Sequence, residues 1–203
     1  YVVAHPDQPG ASYAVMELTS AEDAVEHGAK LTGEALVSMI YPLAQSKIAD
    51  AEERLAKRKK QSELETTAAI APDFTLSDME GNRVALRHFR GKWVVLDFWG
   101  SWCGWCIKGF PELKEAYAAY DGRLEIVGID CNDSPEAWRK AVERYELPWV
   151  QLYNSRSDGV EQLYAVQSFP TKVIIDPEGR IRKVCRGHVP EFFRDLEELM
   201  RDR

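Results

Sequence analysis

Residues 92–111 read KWVVLDFWGSWCGWCIKGFP. The run 92–99 is almost continuously apolar, as a central strand covered on both faces would be. Two cysteines, Cys103 and Cys106, follow it at Cys-x-x-Cys spacing. From Cys103 to about Tyr120 the pattern is helical, with Pro111 predicting a kink. A strand running into a helix puts the pair at the strand's C-terminal edge, where open α/β sheets form their sites. The unpaired N–H groups and dipole of the helix start favour a thiolate at Cys103. A thiolate is the attacking species in disulfide exchange. Cys106 lies one turn further, close enough to close a ring. Cys103 is therefore expected to attack a substrate disulfide and Cys106 to resolve the mixed disulfide.

Two other readings of the pair are weaker. A zinc site needs four ligands, usually as two close pairs. The remaining cysteines, Cys131 and Cys185, are isolated, and no two histidines have ligand spacing. A structural staple across so short a loop would stabilise little. Neither a metal nor a cofactor is expected.

Outward from this centre, short apolar runs alternate with amphipathic stretches. Residues 74–86 look like a hairpin around Glu80-Gly81-Asn82, and 123–130 is a second strand. Residues 134–146 form a helix capped by Ser134 with Pro135 first. A short helix over 158–166 precedes a strand, a Pro-Glu-Gly turn and a return strand over 171–187. An amphipathic helix over 190–202 closes the chain. This order predicts an α/β fold, a mixed sheet with helices on both faces.

The first part differs in composition. Residues 5–12 read as a loop, and Thr19 or Ser20 caps a helix with Glu22 and Asp23 in its first turn. Leu36, Ile40 and Leu43, then Ile48, Ala51 and Leu55, recur at helical spacing. Pro42 predicts a kink, or two helices joined near Tyr41. The charged end, EERLAKRKKQSELE, reads as a solvated face, and 62–73 as a linker. The chain thus divides into a helical appendage, 1–68, the end of a larger N-terminal region, and an α/β domain, 69–203.

The whole has 203 residues, a net charge of −7 and 45% hydrophobic residues, which suits a globular protein and leaves no nucleic-acid footprint. No apolar run approaches the ~18 residues of a membrane span. Four cysteines are too few for a disulfide scaffold. A start at Tyr1 reads as a processed or trimmed fragment, so missing targeting signals say nothing about compartment.

VVLDFWGSWCGWC resembles the active-site segment of the thioredoxin superfamily. The wider run, APDFTL, GNRVAL, FRGKWVVLDFW, CGWC, FP and SFPTKVIIDPEGRI in order, resembles the TlpA/ResA-like thiol-disulfide oxidoreductases of bacterial envelopes over about residues 71–203. Residues 1–68 resemble the segment that precedes such domains in Bacteroidetes envelope proteins. The resemblance implies a thioredoxin-like sheet, with Pro170 as the family's cis-proline facing Cys103. The backbone at Phe169 would then pair with an extended substrate. On the residues alone, Pro170 could equally start a strand in trans.

Asp97 is out of place in an apolar strand, because a buried carboxylate is costly unless paired or protonated. The resemblance matches it to a buried acid that moves a proton to and from the resolving cysteine, a general acid/base role. The alternative is a strand-end aspartate held by backbone hydrogen bonds. Thioredoxin places a lysine near that acid. The matching position here is Ile126, so Asp97 is expected to lack that partner. The chain also departs from the family at Gly109, where many members have glutamate, and at Trp105, where proline is common. Trp102 and Trp105 flank the thiols and read as an aromatic platform for substrate, and Trp99 as core. Cys131 and Cys185 fall on strands separated by two others, ~14 Å apart at ~4.8 Å per strand, too far for a disulfide. Both are expected to be buried thiols, with Cys131 the better candidate for a second redox role, since its strand ends on the active-site edge. His88 and His188 read as loop residues without a role.

The resemblance implies a protein-disulfide reductase of the periplasm or cell envelope, membrane-anchored at full length. Its electrons would come from a membrane-bound thiol donor. Its substrate would be an oxidised exported protein, such as an apocytochrome in cytochrome c maturation. A peroxiredoxin-like peroxide reductase is the second reading. The Pro-x-x-x-Thr-x-x-Cys setting of that chemistry is missing, since Trp99, Gly100, Ser101 and Trp102 precede Cys103. A third is a non-catalytic thioredoxin-fold binding module.

Overall fold

The structure, a computed structural model, describes residues 1–66, 68–188 and 191–201. It divides into two compact units, Tyr1–Lys60 and Gln61–Arg203.

The first unit holds helices α1 (Pro9–Glu17) and α2 (Ala21–Gly28), a 3-10 turn (Gly33–Val37) and most of α3 (Tyr41–Thr66). Its small core joins Val2, Ala11, Val15, Leu31, Ala35 and Ala44. Ser20 caps α2, its hydroxyl oxygen accepting the Asp23 N–H at 3.0 Å. Helix α1 begins inside the stretch expected to be a loop. Proline suits a first helical position, where its missing N–H would have had no partner. Pro42 is the second residue of α3, so the chain changes there from 3-10 turn to long helix. Helix α3 also runs into the expected linker. The chain after it is tied down at Ala71, whose N–H donates to Gly179 O at 2.9 Å.

The second unit is built on a seven-stranded sheet. The strands are β1 (Thr75–Ser77), β2 (Arg83–Ala85), β3 (Trp93–Trp99), β4 (Leu124–Cys131), β5 (Val150–Asn154), β6 (Thr171–Ile175) and β7 (Ile181–Arg186). Their order is β2-β1-β5-β4-β3-β6-β7. Strands β3, β4 and β5 run parallel, and β6 joins β3 antiparallel. The helices are α4 (Gly104–Ala119), α5 (Pro135–Arg144), α6 (Val160–Leu163) and α7 (Glu191–Arg201). Pro190 and Asp202, in the expected last helix, lie outside the described residues. Strand β5 is absent from the sequence expectation, because VQLYN mixes apolar and amide side chains without alternation or length.

Side-chain alternation splits the core. On one face Val95, Trp99, Ile126 and Ile174 pack with Cys106, Phe110 and Leu113 of α4 and with Phe192 and Leu196 of α7. On the other, Leu96, Phe98, Val127, Ile129 and Val173 pack with Val160 of α6 and Tyr164. The thioredoxin-like α/β expectation holds, and β3 sits at its centre with α4 emerging from its C-terminal end.

Candidate active site

Cys103 is the N-cap of α4. It is disulfide-bonded to Cys106, with the two Cα atoms 5.3 Å apart. The Cys106 N–H donates to Cys103 Sγ at 3.2 Å, so the helix start serves the first sulfur. Cys103 is 6% exposed and Cys106 only 1%, so the outer sulfur is the one a partner can reach.

The loop between β3 and α4 rests on the segment after β4. Asp133 Oδ2 accepts the Ser101 N–H at 2.6 Å, and Oδ1 accepts the Ser101 hydroxyl at 2.6 Å. The Trp102 indole N–H donates to Cys131 O at 3.0 Å. A Cβ on Gly100 would lie 2.9 Å from Cys131 O, so glycine is what lets the loop settle there.

The Phe169–Pro170 peptide is cis. The Phe169 ring stands edge-on to Trp102, with centroids 5.2 Å apart. Trp102 and Trp105 are 53% and 60% exposed. Trp105 stacks with His188 at 6.4 Å, and Lys108 Nζ lies 4.6 Å from its ring centroid. His188 Nε2 is 3.8 Å from Glu112 Oε2. A Cβ on Gly109 would come within 3.2 Å of His188 Nδ1. The imidazole therefore occupies the space beside position 109, and the histidine read as a plain loop residue belongs to the rim of the site. His88 has a local task, its Nδ1 accepting the Ala85 N–H at 3.3 Å.

Asp97 alternates in phase with Val95 and Trp99, whose side chains pack with Cys106 and Phe110 of α4, and it is 1% exposed. Its partner corrects the sequence expectation. Lys172 Nζ lies 3.1 Å from Asp97 Oδ1, with both side chains buried. The approach is an ion pair by distance, outside the angles of a hydrogen bond. The lysine comes from β6, the strand on the other side of β3 from Ile126, where Lys172 is the direct register partner of Asp97. Across β4 the row continues through Gly128 to Gln151. Gln151 Oε1 accepts the Trp99 indole N–H at 3.2 Å. Its carboxamide lies over Gly128, where a Cβ would come within 2.3 Å of it.

A second buried acid, Asp130, lies at the end of β4. Burial first, then the adjacent Asp133 carboxyl, pushes its pKa up to about 9. The sequence reading missed Lys172, Gln151, Asp130 and Asp133. Lys172 and Asp130 carried the same signal as Asp97, a charge inside an apolar strand.

Cys131 and Cys185 are buried, neither in a disulfide, and point to opposite faces of the sheet. Burial pushes the Cys131 thiol far up, which disfavours the thiolate that disulfide exchange uses. Among the described residues no cluster of three or more His, Cys, Asp or Glu could hold a metal.

Comparison with known proteins agrees with this geometry. Residues 67–184 match the AhpC/TSA family. The chain is 31% identical over 132 residues to the thiol-disulfide oxidoreductase ResA of Bacillus thuringiensis subsp. konkukian, covering 64% of this chain and 75% of that one. The thioredoxin domain of a thiol-disulfide oxidoreductase from Bacteroides vulgatus superposes with a TM-score of 0.60 at 33% identity, over 65% of this chain and 96% of that one. A thiol:disulfide interchange protein from Bacteroides sp. superposes at 0.58 and 34% identity, over 64% and 87%. A buried Cys-x-x-Cys pair at a helix start, on this sheet and with these relatives, makes the chain a member of the AhpC/TSA family and, within it, a ResA-like thiol-disulfide oxidoreductase.

Proposed function

We propose that the protein reduces disulfides in exported proteins through the Cys103–Cys106 dithiol. The Cys103 thiolate attacks a substrate disulfide. One Cys103–substrate S–S bond forms, the substrate S–S bond breaks, and the departing thiolate takes a proton. Cys106 then loses its proton and attacks Cys103 Sγ. The Cys103–Cys106 bond forms, and the second substrate sulfur leaves as a thiol. Two electrons have passed to the substrate, and a membrane-bound thiol donor restores the dithiol. The observation that carries this reading is the seating of the pair, Cys103 as the N-cap of α4 and Cys106 buried one turn inside.

Asp97 is the group that exchanges the proton with Cys106, with Lys172 balancing its charge. Trp102, Trp105 and Phe169 form the surface on which a substrate segment lies, and Pro170 sets the backbone beside it. The likeness to ResA-type oxidoreductases favours reduction as the direction. ResA-like kinship supports an envelope location, a membrane-bound thiol donor and an apocytochrome among the substrates. Among the described residues no helix is long and apolar enough to cross a membrane.

Trapping tests the reading. Cys106→Ala should accumulate a mixed disulfide through Cys103 with an oxidised exported protein, released by a small thiol. Cys103→Ser should trap nothing and reduce nothing. A mixed disulfide on Cys106, or peroxide consumption in place of disulfide reduction, would overturn it.

A further inference from the structure

The loop that presents Cys103 is held by one carboxylate. Both oxygens of Asp133 are engaged by Ser101, two residues before the thiol, through its backbone N–H and its hydroxyl, each at 2.6 Å. Tyr153 on β5 steadies the same turn, its hydroxyl donating to Asp133 O at 3.0 Å. Close to Asp133 stands Asp130, fully buried, with no hydrogen-bond partner of good geometry for either carboxyl oxygen, although the backbone N–H groups of Cys131 and Asp133 come near enough to favour its charged form in part. The Asp133 carboxyl lies near enough to push the Asp130 pKa up, after burial itself. Two ionised carboxyls are acceptors only and repel. A single proton converts that contact into a charge-assisted O–H···O⁻ bond, among the stronger kinds.

We propose that Asp133 is a positioning residue for the attacking thiol, and that Asp130 is the acid that holds it, donating a proton to Asp133 while Asp133 accepts twice from Ser101. The chain Asp130–Asp133–Ser101 then links the buried end of β4 to the loop before Cys103. The consequence for the thiol rests on the disulfide-exchange reading above, whereas the clamp itself does not.

The surroundings suit a held proton. The titratable groups around Asp130 are Asp133 and Cys131 on its own segment and Tyr153 on β5, with Asp97 of β3, Glu136 of α5, Asp158, and Glu161 of α6 further out. Its register neighbour on β3 is the neutral Trp99. With its pKa pushed up to about 9, Asp130 keeps its proton at neutral pH. Above that value the pair carries two charges, and the hold on Ser101 weakens.

The oxidised protein gives a clean test, because neither Cys103 nor Cys106 can then titrate. The Ser101 amide and Trp102 indole N–H resonances are followed by NMR from about pH 6 to about pH 10.5. Both should move together in the wild type, with a midpoint near pH 9. In Asp130→Asn, whose amide still donates to Asp133 but cannot titrate, that movement should vanish and the neutral-pH shifts remain. Ser101→Ala is the second variant. It takes one donor from the Asp133 charge and should raise the midpoint read at Trp102. No wild-type transition, an unchanged one in Asp130→Asn, or an unmoved midpoint in Ser101→Ala would overturn the proposal. In the reduced protein, Asp133→Asn should slow attack on a small aromatic disulfide by about tenfold to a hundredfold. An unchanged rate would overturn the positioning role. If protein-disulfide reduction fails while the NMR titration holds, the function falls and the clamp stands.

Discussion

A lysine in the middle of β6 would be costly to bury, were it not one strand away from an aspartate. Breaking a buried ion pair at one partner costs about 3–5 kcal/mol, because the other charge is left alone. Lys172→Met should therefore destabilise the second unit by that order, read from urea denaturation. The double variant Asp97→Asn/Lys172→Met should be more stable than Lys172→Met alone. Asp97→Asn should also slow closure of the Cys103–Cys106 ring by about a hundredfold, the range of a lost acid/base group. Rapid mixing would show this as a mixed disulfide that persists. An undiminished closure rate would leave Asp97 a structural residue. At this scale the sequence announced that Asp97 was odd, since a charge in VVLDFW stands out. It could not supply the partner, because Lys172 is 75 positions away and becomes a neighbour only through the antiparallel register of β3 and β6. A family template pointing at Ile126 looked across the wrong edge of β3.

The junction of β3 and α4 was the most legible element, for local reasons. An apolar run, a glycine, a Cys-x-x-Cys and a helical pattern follow one another without long-range help. The loop's height above the sheet was not legible, since it depends on Asp133 and on Cys131 O. Gly100 marks that dependence. Gly100→Ala should push the loop off its seat, costing about 1–3 kcal/mol as overpacking does, with thermal unfolding as the measure. Gly128 marks another. Gly128→Ala should expel the Gln151 carboxamide and leave the buried Trp99 indole N–H unmatched, at about 1–3 kcal/mol. Strand β5 and helix α1 escaped the sequence reading for opposite reasons. Strand β5 is short and carries Gln151 and Asn154 inward, so no period shows. Helix α1 opens with Pro-Gly, a pair that punctuates turns in isolation but is tolerated in a first helical turn.

Across the whole molecule, the buried carboxyl at Asp130 couples folding to pH. Its pKa is raised from 3.8 to about 9, so between those values the native state binds more protons than the unfolded chain. Its contribution to stability is therefore fully present below the unfolded value and is lost as pH rises toward about 9. Denaturation midpoints from about pH 5 to about pH 9 should fall more steeply for the wild type than for Asp130→Asn. Parallel curves would mean that Asp130 does not hold a proton in the native state. The α/β class and the helical character of the first part could be read from composition and period alone. The order of seven strands could not, because β5 had to be inserted between β1 and β4.

The most direct test of the central claim is the reduction potential of the Cys103–Cys106 pair, measured with Cys131 and Cys185 replaced by alanine. A reversible two-electron transition at or below about −250 mV is predicted, in the range of a thioredoxin-like reductant. A value near about −120 mV, that of a strong oxidant, or no two-electron transition at all, would contradict it.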